Sequence, residues 1–131
     1  MWTNINYNKQ YLNKFNLLNS KNKVCSFNVL NQLDLNNTPL NAEFIIDNVL
    51  NGNYNSVILG SKYIMLDTYH DGTFEKEFYD YLISINYKGY LLLDDIHLNF
   101  EMERFWDSIT KEKYDISNLG HITGTGLVIF N

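Results

Sequence analysis

Four side chains with the means to do chemistry stand in two short stretches of this chain. Asp67 and His70 lie in Asp-Thr-Tyr-His directly after the apolar run Tyr63 to Leu66, and Asp94 and Asp95 follow the apolar run Tyr90 to Leu93. In an open parallel sheet, ligands sit beyond the carboxyl ends of the strands, so residues at those points have first claim on function. If the segment between the two runs makes the usual right-handed crossover, the two strand tips are neighbours and three carboxylates meet one imidazole. Clustered carboxylates repel one another in a partly desolvated crevice, and a divalent cation with oxygen ligands, Mg²⁺ first among them, relieves that repulsion. A histidine three residues beyond one ligand can reach a substrate hydroxyl and take its proton near neutral pH. The competing reading of the same residues is helix caps and solvated loop groups, with Asp71-Gly72 an ordinary turn.

The elements that must place these residues are legible in the apolar periodicity. Phe74, Phe78, Tyr81, Leu82 and Ile85 recur at helical spacing, with Glu75 and Glu77 near the start, where carboxylates favour a helix amino end, and Lys88-Gly89 is expected to stop the helix. Met102, Phe105, Trp106 and Ile109 give a second helix over 100–109, with Trp106 as a packing residue. Tyr114 to Leu119 and Gly126 to Phe130 read as two strands of an antiparallel hairpin joined across His121 to Thr125.

Upstream, Tyr11, Leu12, Phe15 and Leu18 suit a helix over 7–18, with Tyr7 and Tyr11 on its apolar face, and Lys23 to Leu30 is of strand length. Ala42 to Leu50 leans to strand through its β-branched residues, and Val57 to Leu59 is too short to classify. The order of strands and helices indicates an α/β layer fold with a mostly parallel sheet.

With 131 residues, 45% of them hydrophobic, the chain has the size and apolar content for one domain with one core. A net charge of −5 and no basic stripe argue against nucleic acid, whose phosphates are met by clustered Lys and Arg. The lone Cys25 rules out an intrachain disulfide framework and reads as a small core residue, as Trp2 reads as a packing residue. No run approaches a membrane span and no secretory pattern opens the chain, so a cytoplasmic setting is the default expectation. His97 and His121 read as loop histidines, although His97 follows the acidic pair closely enough to touch a substrate.

The segment from Ser61 to Phe130, through Tyr-Ile-Met-Leu-Asp-Thr-Tyr-His-Asp-Gly, Gly-Tyr-Leu-Leu-Leu-Asp-Asp-Ile and Gly-Thr-Gly-Leu-Val-Ile-Phe, resembles the second half of class I S-adenosylmethionine-dependent methyltransferases. It resembles more closely their metal-dependent sugar O-methyltransferases of the macrolide-tailoring type, which carry Asp-x-x-His after the fourth strand and an acidic pair after the fifth. The resemblance implies a three-layer, Rossmann-like methyltransferase sheet that ends in an antiparallel hairpin. It implies Asp67, Asp94 and Asp95 as ligands of Mg²⁺ or another divalent cation, His70 as the base, and a small-molecule hydroxyl, including one on a sugar, as acceptor.

The front end departs from that pattern. No glycine precedes Gly52, so the cofactor loop and the first strand are expected to be missing, and the ribose position for S-adenosylmethionine would fall on Asn28 and the adenine position on Asp47 or Asn48. A gap at the central strand favours self-association or a complementing chain. The alternative function is an inactive methyltransferase remnant that serves as a binding or self-association module.

Overall fold

The computed structural model describes the backbone of residues 22–25 and 42–45, and residues 48–120 and 122–131 in full. The helix expected over 7–18, with Tyr7 and Tyr11, lies outside the described residues, as do Trp2, Asn28, Asp47 and His121. Two short strands, β1 (Asn22–Cys25) and β2 (Ala42–Ile45), pair in parallel. The expected strand over Ala42 to Leu50 is thus shorter: Val49 and Leu50 belong to a 3₁₀ turn over Val49–Asn51, capped by the Asn48 side chain, which accepts from the Leu50 amide at 2.9 Å. Val57 to Leu59 falls inside α1 (Asn55–Gly60), which buries Ile58 completely.

A four-stranded sheet follows, in the order β3-β4-β6-β5. β3 (Tyr63–Leu66) and β4 (Gly89–Asp94) are parallel, with Leu66 beside Leu93. β6 (Thr125–Phe130) lies antiparallel to β4, with Thr125 beside Asp94, and β5 (Lys113–Asp115) lies antiparallel to β6. The fold is α/β as expected, and the antiparallel β5–β6 pair is where the sequence placed it. The four-stranded sheet is mixed rather than mostly parallel: its β3–β4 ladder is parallel, and its β4–β6 and β5–β6 ladders are antiparallel.

β5 is also shorter than Tyr114 to Leu119. The Asp115 carboxylate accepts from the Ser117 amide at 2.9 Å, a side-chain turn that offers the backbone an alternative to the ladder, and Ser117–Leu119 forms a 3₁₀ turn.

Two helices pack on this sheet. α2 (Thr73–Ser84) connects β3 to β4 and buries Glu75, Phe78, Tyr79 and Leu82, the i, i+3, i+4, i+7 pattern of one helix face. It stops earlier than Lys88-Gly89. Asn86 takes the left-handed conformation (φ 56°), the Tyr87 amide donates to the Leu82 carbonyl and the Asn86 amide to that of Ile83, which together close the helix end.

Gly89 has another task. Tyr87 is 2% exposed, with its hydroxyl 3.3 Å from the Lys62 carbonyl, and a Cβ on Gly89 would stand 2.6 Å from that same carbonyl oxygen. Burial pushes the Tyr87 phenol up to about 12.

α3 (Phe100–Ser108) buries Met102, Phe105 and Trp106. Its cap is Asn99, whose side-chain oxygen accepts from the Met102 amide at 2.8 Å. Trp106 packs as the sequence suggests, with the Lys113 ammonium 4.8 Å from the ring centroid and Gly126 leaving the room its ring occupies. Tyr79 meets Phe105 edge-on at 6.4 Å and Phe130 at 5.7 Å, so helix, helix and sheet share one aromatic contact. No helix of the described residues is long and apolar enough to cross a membrane.

Candidate metal centre

The parallel register dictates the geometry of the site. With Leu66 beside Leu93, the next residues along the two strands are Asp67 and Asp94, so both carboxylates leave the sheet at one edge. His70 returns to that edge three residues later. One ligand atom each from Asp67, His70 and Asp94 lie within 4.8 Å of one another, and all three residues are half-buried. Ligand oxygens and nitrogens held about 2.1 Å from a cation stand about 3 Å apart when adjacent and about 4.2 Å apart when opposite, so modest contraction of this group would complete three corners of a coordination sphere.

Asp95 approaches the same ring nitrogen as Asp67. His70 Nε2 is 3.4 Å from Asp67 Oδ1 and 3.5 Å from Asp95 Oδ2, and it is buried without a hydrogen-bond partner. A buried imidazole nitrogen facing two carboxylate oxygens is a donor set that a divalent cation could join. Two carboxylates and one imidazole suit Mg²⁺ and, with the nitrogen included, Mn²⁺ or Zn²⁺ better. The residues therefore fit a divalent cation. Asp95 is outside the group of three. It takes a left-handed conformation (φ 58°) and accepts a hydrogen bond from the Thr123 hydroxyl, which ties the 116–124 loop to the site.

The backbone of His70 is held from both sides. It too is left-handed (φ 56°), a conformation that costs a non-glycine residue energy unless its surroundings impose it. Its amide donates to Glu75 Oε1 at 2.8 Å, and its carbonyl accepts from Asn99 Nδ2 at 2.8 Å. Glu75 Oε1 also accepts from the Thr68 hydroxyl at 2.6 Å. The helices bearing these two side chains are pressed together at Gly72 (φ 72°), where a Cβ would lie 2.6 Å from the Glu101 carbonyl oxygen.

The electrostatics follow from this crowding. The Asp67 carboxylate against the ring raises the His70 pKa above its ordinary 6.5, burial opposes it, and the charges of Asp95, Asp67 and Glu75 add to the rise. A group whose folded pKa is raised contributes stability that is fully present below pH 6.5 and is lost as pH rises through the folded value. In metal-free protein the His70 ring is accordingly expected to titrate above 6.5 by NMR. The stability lost on His70→Gln should also be larger at pH 5.5 than at pH 8.5. A midpoint at or below 6.5 would contradict the arrangement.

The structure thus brings together Asp67, His70 and Asp94 and sets Asp95 against His70. His97 lies apart: its Nε2 meets Asp115 Oδ2 at 2.8 Å, and the Ser117 hydroxyl, helped by this contact, lowers the Asp115 pKa to about 2. Sequence reasoning missed Glu75, Asn99 and Thr123. Asn99 carried a signal, being a capping residue type three positions before Met102. Glu75 carried a misleading one, since an acid in a first helical turn normally faces water. Thr123 carried none.

No family model, curated protein or solved structure matches the chain.

Proposed function

We propose that this chain holds a divalent cation between Asp67, His70 and Asp94 and that it is an S-adenosylmethionine-dependent O-methyltransferase-like protein with a Rossmann-like sheet, acting on a small-molecule hydroxyl such as one on a sugar. The observation that carries the metal part is the convergence of these three ligand atoms within 4.8 Å at the carboxyl edge of a parallel strand pair. The methyl-transfer part is supported by the resemblance of residues 61–130 and by the order in which the acidic tips, the intervening helix and the antiparallel pair follow one another.

A bound divalent cation would polarise an acceptor hydroxyl and ease loss of its proton. His70 can serve as proton acceptor or as ligand, and its place within the group of three favours ligand. Asp95 Oδ2 lies 3.5 Å from the same Nε2 as Asp67, so its charge adds to the negative field that favours a cation at this edge. The resemblance assigns Asn28 to the ribose of the methyl donor and Asp47 or Asn48 to its adenine.

Calorimetric titration of the purified chain with Mn²⁺, then with S-adenosylmethionine and S-adenosylhomocysteine, tests both parts. Saturable binding of Mn²⁺ and of the cofactor is expected. Absence of Mn²⁺ binding at millimolar concentration in folded protein would overturn the metal centre. Mn²⁺ binding without cofactor binding would overturn the transferase reading for this chain alone and leave a metal-binding module.

A further inference from the structure

We propose that Glu75 and Asn99 form a two-sided backbone clamp, positioning residues from the first turns of two different helices that hold His70 in the left-handed conformation in which its ring joins Asp67 and Asp94. The inference rests on the metal-centre reading for its consequence, and on the geometry of His70 for its existence.

Neither contact is explained by helix capping. The amino end of α2 is already served by Asp71, whose Oδ1 accepts from the Thr73 amide at 2.8 Å and the Phe74 amide at 3.3 Å. Glu75 is nonetheless 2% exposed, with Oε1 spent on Thr68 and His70 and Oε2 buried without a partner. Burying a carboxyl group that is only half satisfied is unfavourable, and a solvent-facing acid in the same turn would favour the helix end without that cost. What the burial provides is an acceptor for the His70 amide, which lies in a loop and has no ladder partner.

Asn99 divides its side chain in the same way. Its oxygen caps α3 at Met102, and its amide nitrogen is turned to the His70 carbonyl. Both backbone polar groups of a strained residue are thereby fixed by side chains, and the imidazole direction is fixed with them. Gly72 permits it, because only a residue without Cβ lets the first turn of α3 approach the start of α2 this closely.

The two tasks of each residue can be separated by substitution. Glu75→Gln keeps an acceptor oxygen for Thr68 and His70, whereas Glu75→Ala removes it. Asn99→Ser keeps a capping oxygen for Met102 and loses the donor to His70. In metal-free protein, hydrogen exchange at the His70 amide and the position of its ring cross-peak are measured by NMR, and Mn²⁺ affinity is then measured by calorimetry.

Glu75→Ala is expected to speed His70 amide exchange and to weaken Mn²⁺ binding about tenfold, the scale seen when residues supporting a metal ligand are lost. Glu75→Gln should restore both to within about threefold of the parent, which a purely structural loss would not predict. Asn99→Ser should move the ring cross-peak and weaken Mn²⁺ about tenfold with the melting temperature of the metal-free protein nearly unchanged. An amide and ring left at their parental values in both Glu75→Ala and Asn99→Ser would overturn the clamp. A parent that binds no Mn²⁺ would remove the metal centre, while the metal-free measurements still decide the clamp. Should Glu75→Ala fail to fold, Asn99→Ser alone carries the decision.

Discussion

Replacing Asp94 with Asn is expected to abolish the thermal stabilisation that Mn²⁺ gives the parent protein. A ligand present at a hundred times its dissociation constant stabilises the folded state by about 2.7 kcal/mol, which in a domain of this size is a shift of roughly 10 °C. Asp94 is the last residue of β4, held in register by Thr125 across the ladder, and asparagine preserves its shape. What the substitution removes is one of the two carboxylates in the group of three. Asp95→Asn, outside the group of three, is expected to keep most of the Mn²⁺ shift, although sequence reasoning gave both acids the same role. Melting curves with Mn²⁺ and with chelator decide the matter. A D94N variant that retains more than half of the parental shift would remove Asp94 from the centre.

The second large effect concerns the helix that separates the two acidic tips. Phe78 is completely buried at the centre of the α2 face, and its truncation to Ala is expected to cost about 3–5 kcal/mol through lost burial and the cavity left behind. Domains of this kind are stable by roughly 5–15 kcal/mol, so Phe78→Ala should consume a large fraction of the total. Ile83, on the same helix but 43% exposed, should change stability by about 0.5 kcal/mol or less when replaced by Ala. Urea denaturation of both variants gives the comparison. A loss below about 1 kcal/mol for Phe78→Ala would mean that α2 is not packed as described.

The strand tips were legible because chemistry and periodicity coincide there. A run such as Tyr-Leu-Leu-Leu closed by two acids is hard to read as anything but a buried strand reaching an edge, and Asp67, His70 and Asp94 do converge. The helix faces were legible for the same reason, down to Phe78 and Leu82. Boundaries were less so where a side chain competes with the backbone. Asn86 ends α2 before Gly89 because it tolerates the left-handed conformation, while Gly89 serves the approach of Tyr87 to the strand. Asp115 ends β5 by taking the Ser117 amide for itself.

Glu75 was illegible for a deeper reason. Its partners, Thr68 and the His70 amide, belong to a loop whose path depends on Gly72 meeting α3, a contact between segments far apart in sequence. Local propensity carries no record of such a meeting.

The antiparallel insertion of β6 has one further consequence. Because β6 runs against β4, its incoming end, Thr125, arrives at the edge where Asp94 departs, and the turn before it delivers Thr123 to Asp95. A parallel strand in that position would have begun at the opposite edge and presented its outgoing end here, followed by whatever came next in the chain. The reversed strand instead offers this rim a hairpin loop closed at both ends by β5 and β6. Such a loop can lengthen, shorten or change its residues without disturbing the register of the sheet beneath it. The part of the rim that stands against Asp95 is therefore also the part whose rewriting the sheet would notice least.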